Sequence, residues 1–119
     1  MRYLIVISSN EAAEAKATKE EQEQVFGAYM KYTEDLRKAG VMLAGDALES
    51  SAKGARVTLQ GGKRKVTDGP FAEAKEVIGG YYLIQVKSKE EAIEWASRCP
   101  GAQYGEVEVR EVMEIPGGM

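Results

Sequence analysis

The sequence predicts an α+β sandwich, an antiparallel sheet with two helices on one face and an added β-hairpin. Two runs, Tyr3-Leu4-Ile5-Val6-Ile7 and Tyr81-Tyr82-Leu83-Ile84-Gln85-Val86, are apolar at nearly every position, the pattern of strands covered on both faces. Two segments open on a Ser/Thr-x-x-Glu capping box, Thr18 with Glu21 and Ser88 with Glu91, and continue with apolar residues at helical spacing. Between them, Gly61-Gly62 joins two β-prone stretches through the two-residue glycine turn of a hairpin.

Tyr3 to Ile7 therefore takes a central place in the sheet. The first long helix starts at Thr18, carries Val25, Tyr29, Tyr32 and Leu36 on one stripe and stops at Gly40, about twenty residues in all. Val41 to Gly45 is apolar and small. In the hairpin, Arg56-Val57-Thr58-Leu59-Gln60 faces Lys63-Arg64-Lys65-Val66-Thr67, and a turn at Gly61-Gly62 fixes the register. Gln60 then faces Lys63, Leu59 faces Arg64, Thr58 faces Lys65, Val57 faces Val66, Arg56 faces Thr67 and Ala55 faces Asp68, which puts Val57, Leu59, Val66 and Asp68 on one side. Asp68-Gly69-Pro70 interrupts the ladder, because proline offers no amide donor. Tyr81 to Val86 is the next strand, and the second helix carries Ala92, Trp95, Ala96 and Cys99 before Pro100-Gly101 ends it. Glu106 to Ile115 closes the chain, with Val107 and Val109 alternating against charged neighbours as in a half-exposed strand. No repeat, low-complexity segment or composition break divides residues 1–119, so one domain is expected. The element order fits a sandwich of ferredoxin-like kind. Helices on one side leave the other sheet face bare, and because both central runs are apolar at both parities, a homodimer packed sheet to sheet is the expected cover.

Composition narrows the chemistry. The 119 residues contain no histidine, which removes serine triads, Cys-His dyads, histidine-ligated zinc or haem and imidazole acid/base catalysis. Cys99 is the only cysteine, so no internal disulfide or CxxC pair forms and nothing points to an oxidising compartment. The net charge is −3, with 16 basic residues spread among 19 acidic ones, which disfavours direct nucleic-acid binding. The N-terminal apolar run is too short for a signal peptide or a membrane span, and a cytoplasmic location without membrane contact is the default. No cofactor motif is found: Lys63-Arg64-Lys65 beside Gly61-Gly62 lacks the GxxxxGK[ST] pattern of a phosphate loop and reads as charge protection of a sheet edge.

Asp68-Gly69-Pro70-Phe71-Ala72-Glu73-Ala74-Lys75-Glu76, followed by Gly79-Gly80-Tyr81-Tyr82-Leu83-Ile84, resembles the DGPF group of the YCII-related (YciI-like) family. Ala39-Gly40-Val41, Gly45-Asp46-Ala47-Leu48, Glu91 to Ala96 with Cys99-Pro100, and Val107 to Arg110 extend the likeness over essentially the whole chain. The resemblance implies a ferredoxin-like, dimeric α+β protein. Relatives of this kind are proposed to carry a histidine and aspartate pair in a cleft, some using the histidine for dehydrochlorination-type chemistry on small aromatic rings. Counted back from Ala39-Gly40, that histidine position falls on Tyr29, so the base is absent here. The DGPF group also implies a connection with extracytoplasmic-function sigma factors.

The candidate site residues are Asp68, Tyr29, Asp46 and Glu73. Asp68 shares its side with Val66, where desolvation would make its carboxylate a base or a ligand anchor; Asp before Gly-Pro is equally good turn chemistry. Glu73 and Glu76 stand three apart and would share a helical face, as a functional carboxylate pair or as ordinary solvated surface. Tyr29 lies on the apolar stripe, as core or as a hydrogen-bond donor to a ligand, and a phenol titrating near 10 is a poor base at neutral pH. Asp46 would line the same cleft or cap a strand end. Cys99, on the stripe with Trp95, reads as buried. Two functions stay open. One is a small-molecule-binding protein with its cleft between the first long helix and the Asp68 loop, in which any proton transfer would use Asp68. The other is a non-catalytic dimeric interaction module with a regulatory protein partner.

Overall fold

The computed structural model describes residues 1–71 and 74–118. The chain runs β1 (Arg2–Ser9), α1 (Glu11–Ala15), α2 (Lys19–Lys38), β2 (Met42–Ala47), a 3₁₀ turn (Ser51–Lys53), β3 (Ala55–Gln60), β4 (Lys63–Asp68), β5 (Val77–Gln85), α3 (Lys89–Ser97), α4 (Gly101–Tyr104) and β6 (Val107–Glu111). Four strands form an antiparallel sheet in the order β2-β5-β1-β6, and β3 with β4 forms a separate two-stranded sheet.

The Thr18 capping box forms in full and the Ser88 box in half. Thr18 accepts from the Glu21 amide at 3.1 Å while Glu21 accepts from the Thr18 amide at 3.1 Å, closing both open donors at the start of α2. At its other end Gly40 takes a φ of 72°, the left-handed conformation that terminates a helix, and the Val41 amide donates back to the Leu36 carbonyl. Ser88 caps α3 through the Glu91 amide. The hairpin pairs as counted, from Gln60 with Lys63 to Ala55 with Asp68, with positive φ at both Gly61 and Gly62.

The core lies between the sheet and α2 and α3. Tyr3 and Ile5 from β1, Tyr82 and Ile84 from β5, Tyr32 and Leu36 from α2, and Ala92, Ala96 and Cys99 meet there. Tyr32 packs edge-on against Tyr82, its hydroxyl donating to the Trp95 carbonyl at 2.7 Å, so the buried phenol is satisfied. The intervening residues Leu4, Val6, Tyr81 and Leu83 point to the opposite, helix-free face and are half-buried.

Three features differ from expectation. The small, apolar segment after Gly40 is an edge strand, β2, pairing with β5 through a register shift between Met42 and Ala44. Glycine and alanine carry little β-propensity, but a Cβ on Gly45 would stand 2.7 Å from the Tyr82 ring, so the small residue lets the edge backbone close on the aromatic core. The hairpin stands apart from the sheet, with every residue of both strands exposed. Two short helices, α1 and α4, add to the two foreseen; α1 starts at an Asn10 cap whose side chain accepts from the Ala13 amide. No helix among the described residues is long and apolar enough to cross a membrane.

Candidate functional site

The root of the hairpin is a built joint. The Gly69 amide donates to the Gly54 carbonyl at 2.9 Å, extending the β3–β4 ladder one step past Asp68, and the following Gly69–Pro70 bond is cis. Gly69 rests on the 3₁₀ turn so closely that a Cβ there would lie 1.7 Å from the Ser51 carbonyl oxygen. From the other side α1 holds the same turn: Glu11 accepts from the Ser51 amide at 2.8 Å and from the Ser51 hydroxyl. These hydrogen bonds, the hydroxyl first, lower the Glu11 pKa below its ordinary value of 4.5.

Pro70 is followed by Phe71, and Arg56 of β3 lays its guanidinium 3.8 Å above the Phe71 ring centre. Phe71 and Val77 together border two open depressions. One, of about 560 Å³, has Leu48, Val77 and Ile78 as an apolar floor, with Ser51, Arg56, Glu76 and the Lys53–Glu49 ion pair among its polar groups. The other, of about 590 Å³, lies toward α1, between Glu11, Pro70 and Lys75. The arrangement offers an apolar wall with hydroxyls and charges of both signs at its rim, a combination suited to a small molecule with an apolar body and hydroxyl groups.

The residues singled out in the sequence are dispersed around this joint. Asp68 is an exposed residue at the end of β4, opposite Ala55, so its apolar-sided register does not bury it. Asp46, on β2, faces the helix-free side of the sheet and accepts from the Tyr81 hydroxyl at 2.8 Å, a bond that raises the phenol's pKa. Tyr29 lies in the helix layer across the sheet, its hydroxyl beside Cys99 and so near Gly101 that a Cβ there would stand 2.7 Å from it. Burial above all drives the Tyr29 pKa up, so the phenol stays protonated. One cleft of a single chain does not hold both Tyr29 and Asp46, and neither they nor Asp68 line the two depressions. Glu73 lies outside the described residues. Cys99, two residues past the end of α3, is fully buried, in agreement with its reading as a core residue.

Sequence reasoning did not single out Glu11, Ser51 or Arg56. For Glu11 a signal existed: Ser9-Asn10-Glu11 is a helix start, with a carboxylate in the first turn. Its partnership with Ser51, 40 residues away, has no local signature. Glu11→Gln is expected to loosen the 3₁₀ turn. Because the folded carboxylate has the lowered pKa, its contribution is full above about pH 4.5 and is lost as pH falls through the folded value. Amide exchange at Ser51, corrected for intrinsic rates, should therefore accelerate on acidification in the native chain and be fast and free of that titration in the variant; equal protection in the two proteins contradicts this role.

Fold and joint define a small α+β sandwich, helices on one sheet face, whose hairpin root borders two surface depressions. The chain belongs to the YCII-related family: the sequence pattern of the YCII-related domain matches residues 1–116. An uncharacterised protein of Rhizobium meliloti (strain 1021) is 31% identical over 112 residues, covering 92% of this chain and 90% of the relative. A similar solved structure is the 5-chloro-2-hydroxyhydroquinone dehydrochlorinase of Burkholderia phenoliruptrix AC1100 in complex with 2,5-dihydroxybenzoquinone, with a TM-score of 0.55 over the whole of both chains. At 15% identity that likeness concerns the fold.

Proposed function

We propose that this protein binds a small molecule with an apolar body and a hydroxylated end at the hairpin root, against Phe71. The single observation that carries this reading is the position of Phe71, which walls both depressions while Arg56 stacks on its ring. Asp68-Gly69-Pro70-Phe71 is also the motif on which we assign the chain to the DGPF group of its family. With no histidine in the chain, any proton transfer on the ligand falls to a carboxylate, and Asp68, next to Gly69 at the joint, is the one we assign to it, acting from the edge of the site rather than from the lining of either depression. The dihydroxybenzoquinone bound by the similarly folded dehydrochlorinase makes hydroxylated quinones and hydroquinones sensible first probes.

A thermal-shift screen of such probes tests the reading. A ligand at about a hundred times its dissociation constant contributes about 2.7 kcal/mol, roughly 10 °C in a domain of this size. The shift is expected to vanish in Phe71→Ala and to weaken in Asp68→Asn, both folded. If no probe stabilises the wild type, or Phe71→Ala keeps the full shift, the hairpin root is not the binding site.

A second reading is favoured by the uncovered sheet face. Leu4, Val6 and Leu83 are half-exposed there, between the Tyr81–Asp46 pair and the charged Glu108 and Arg110. We infer that a second copy covers this face, giving a homodimer packed sheet to sheet.

A further inference from the structure

We propose that the β3–β4 hairpin is a clasp for a second copy of this chain, packing Val57, Leu59 and Val66 on the outer sheet face of its partner. The proposal rests on the sheet-to-sheet homodimer and adds the element that holds it. The register sorts the hairpin into two unlike sides. Ala55, Val57, Leu59 and Val66 share one with Arg64 and Asp68, whereas the other carries Arg56, Thr58, Gln60, Lys63, Lys65 and Thr67. Yet Val57 is 60%, Leu59 73% and Val66 48% exposed. A two-stranded hairpin is marginal in water without a surface to pack on, and an amphipathic one with its apolar side in solvent lacks the layer it is patterned for.

Its own chain does not supply that layer. A sheet and a helix layer about 10 Å apart account for the molecule's 18 Å thickness, so the arm extends sideways within a plate measuring 47 by 46 Å. Sizes then indicate how much cover is missing. A folded 13.0 kDa monomer exposes about 6,300 Å², and this chain exposes 8851 Å². The radius of gyration, 16.4 Å, compares with about 13.5 Å for a compact domain of 119 residues. The excess, about 2,500 Å², exceeds the roughly 800 Å² that each partner buries in a standard interface.

Charge and symmetry select a second copy. Residues 55–68 hold Arg56, Lys63, Arg64 and Lys65 against Asp68, a net +3 in a chain of net −3, which leaves −6 on the remainder. The arm as a whole is therefore basic and the body of any other molecule of the same kind acidic, with Arg64 the cation on the arm's apolar side. Leu4, Val6 and Leu83, flanked by Asp46 on one side and the Glu108–Arg110 ion pair on the other, supply an apolar patch with charged margins that the arm's mixed side, with Arg64 and Asp68, matches. Because arm and patch belong to one chain, a two-fold axis satisfies both copies at once and closes the assembly.

Sedimentation equilibrium of the full chain tests the clasp. Wild type is expected at about 26 kDa, twice the 13.0 kDa chain. The double variant Val57→Lys/Leu59→Lys should weaken the dimer at least about 30-fold, while Thr58→Lys, on the other side of the same strand, leaves it unchanged. A wild-type monomer overturns both the dimer and the clasp. A wild-type dimer that the double variant leaves intact, or that Thr58→Lys weakens equally, overturns the clasp alone. Should the double variant misfold, amide exchange of the wild-type dimer decides: slow exchange on the apolar arm is expected, and complete exchange of residues 55–68 within seconds while the protein sediments as a dimer refutes the clasp.

Discussion

Gly69→Ala is expected to lower the melting temperature by about 12 °C, corresponding to roughly 3 kcal/mol at about 4 °C per kcal/mol for a domain of this length. The cause is contact with backbone, since the new Cβ would lie 1.7 Å from the Ser51 carbonyl oxygen and 2.7 Å from its carbon. A side-chain neighbour could rotate away, but this one belongs to a 3₁₀ turn gripped by Glu11 on its far side. Gly69 is itself held by its hydrogen bond to Gly54, so relief requires the hairpin root to open or the turn to leave α1. Either movement disturbs both depressions, so the variant should also lose the ligand-induced shift at Phe71. Gly27, inside α2 with nothing within 4 Å of its virtual Cβ, is the control, and alanine there should stabilise by up to about 1 kcal/mol. A Gly69→Ala loss smaller than about 1 kcal/mol would show that the joint is softer than its geometry.

Local chemistry made much of the fold legible. Each capping box specifies two hydrogen bonds within four residues, and each is complete or partly complete as spaced. The hairpin register follows from arithmetic once two glycines must adopt positive φ, and all six pairs match. What local chemistry did not reveal is where the hairpin goes. An amphipathic ribbon reads the same whether it extends the main sheet or projects from it, because only tertiary packing distinguishes the two. Val41 to Gly45 fails differently: alanine and glycine hide a strand whose partner, Tyr82, is nearly 40 residues away and supplies the reason for their small size.

The site was legible in its motif and illegible in its geometry. Asp68-Gly69-Pro70-Phe71 does mark the joint, where Gly69 is required by the Ser51 carbonyl and Phe71 forms a wall. Parity placed Asp68 on the apolar side of the hairpin, but parity assigns a side without saying whether anything covers it, and within one chain nothing does. Tyr29 is singled out by the family's histidine position, and Asp46 by its place after the small-residue segment Val41 to Gly45. The sheet separates them, since strand alternation aims Asp46 outward with Tyr81 while α2 lies inside.

Ile84→Ala should cost about 2–5 kcal/mol, a large share of the 5–15 kcal/mol that stabilises a typical domain, and lower the melting temperature by roughly 8–20 °C. Ile84 is fully buried on β5, an inner strand of the sheet, between Tyr3 of β1 and Met42 of β2. Removing its branch leaves a cavity facing α2 and α3, and neighbours tied into two ladders have little freedom to fill it. Its neighbour Leu83 offers a comparison one residue away on the other face of the same strand. In an isolated chain Leu83→Ala removes a half-exposed side chain and should cost much less than Ile84→Ala. If a second copy covers the outer face, Leu83→Ala weakens association as well, so its loss grows or shrinks with protein concentration. The Ile84→Ala increment comes from the protomer's own core, and measured at one fixed concentration against wild type it should remain near its full value whichever state the chain occupies. Urea titrations of both variants at two protein concentrations separate these contributions; an Ile84→Ala loss below about 1 kcal/mol would mean that the helix layer is not packed on β5 as described.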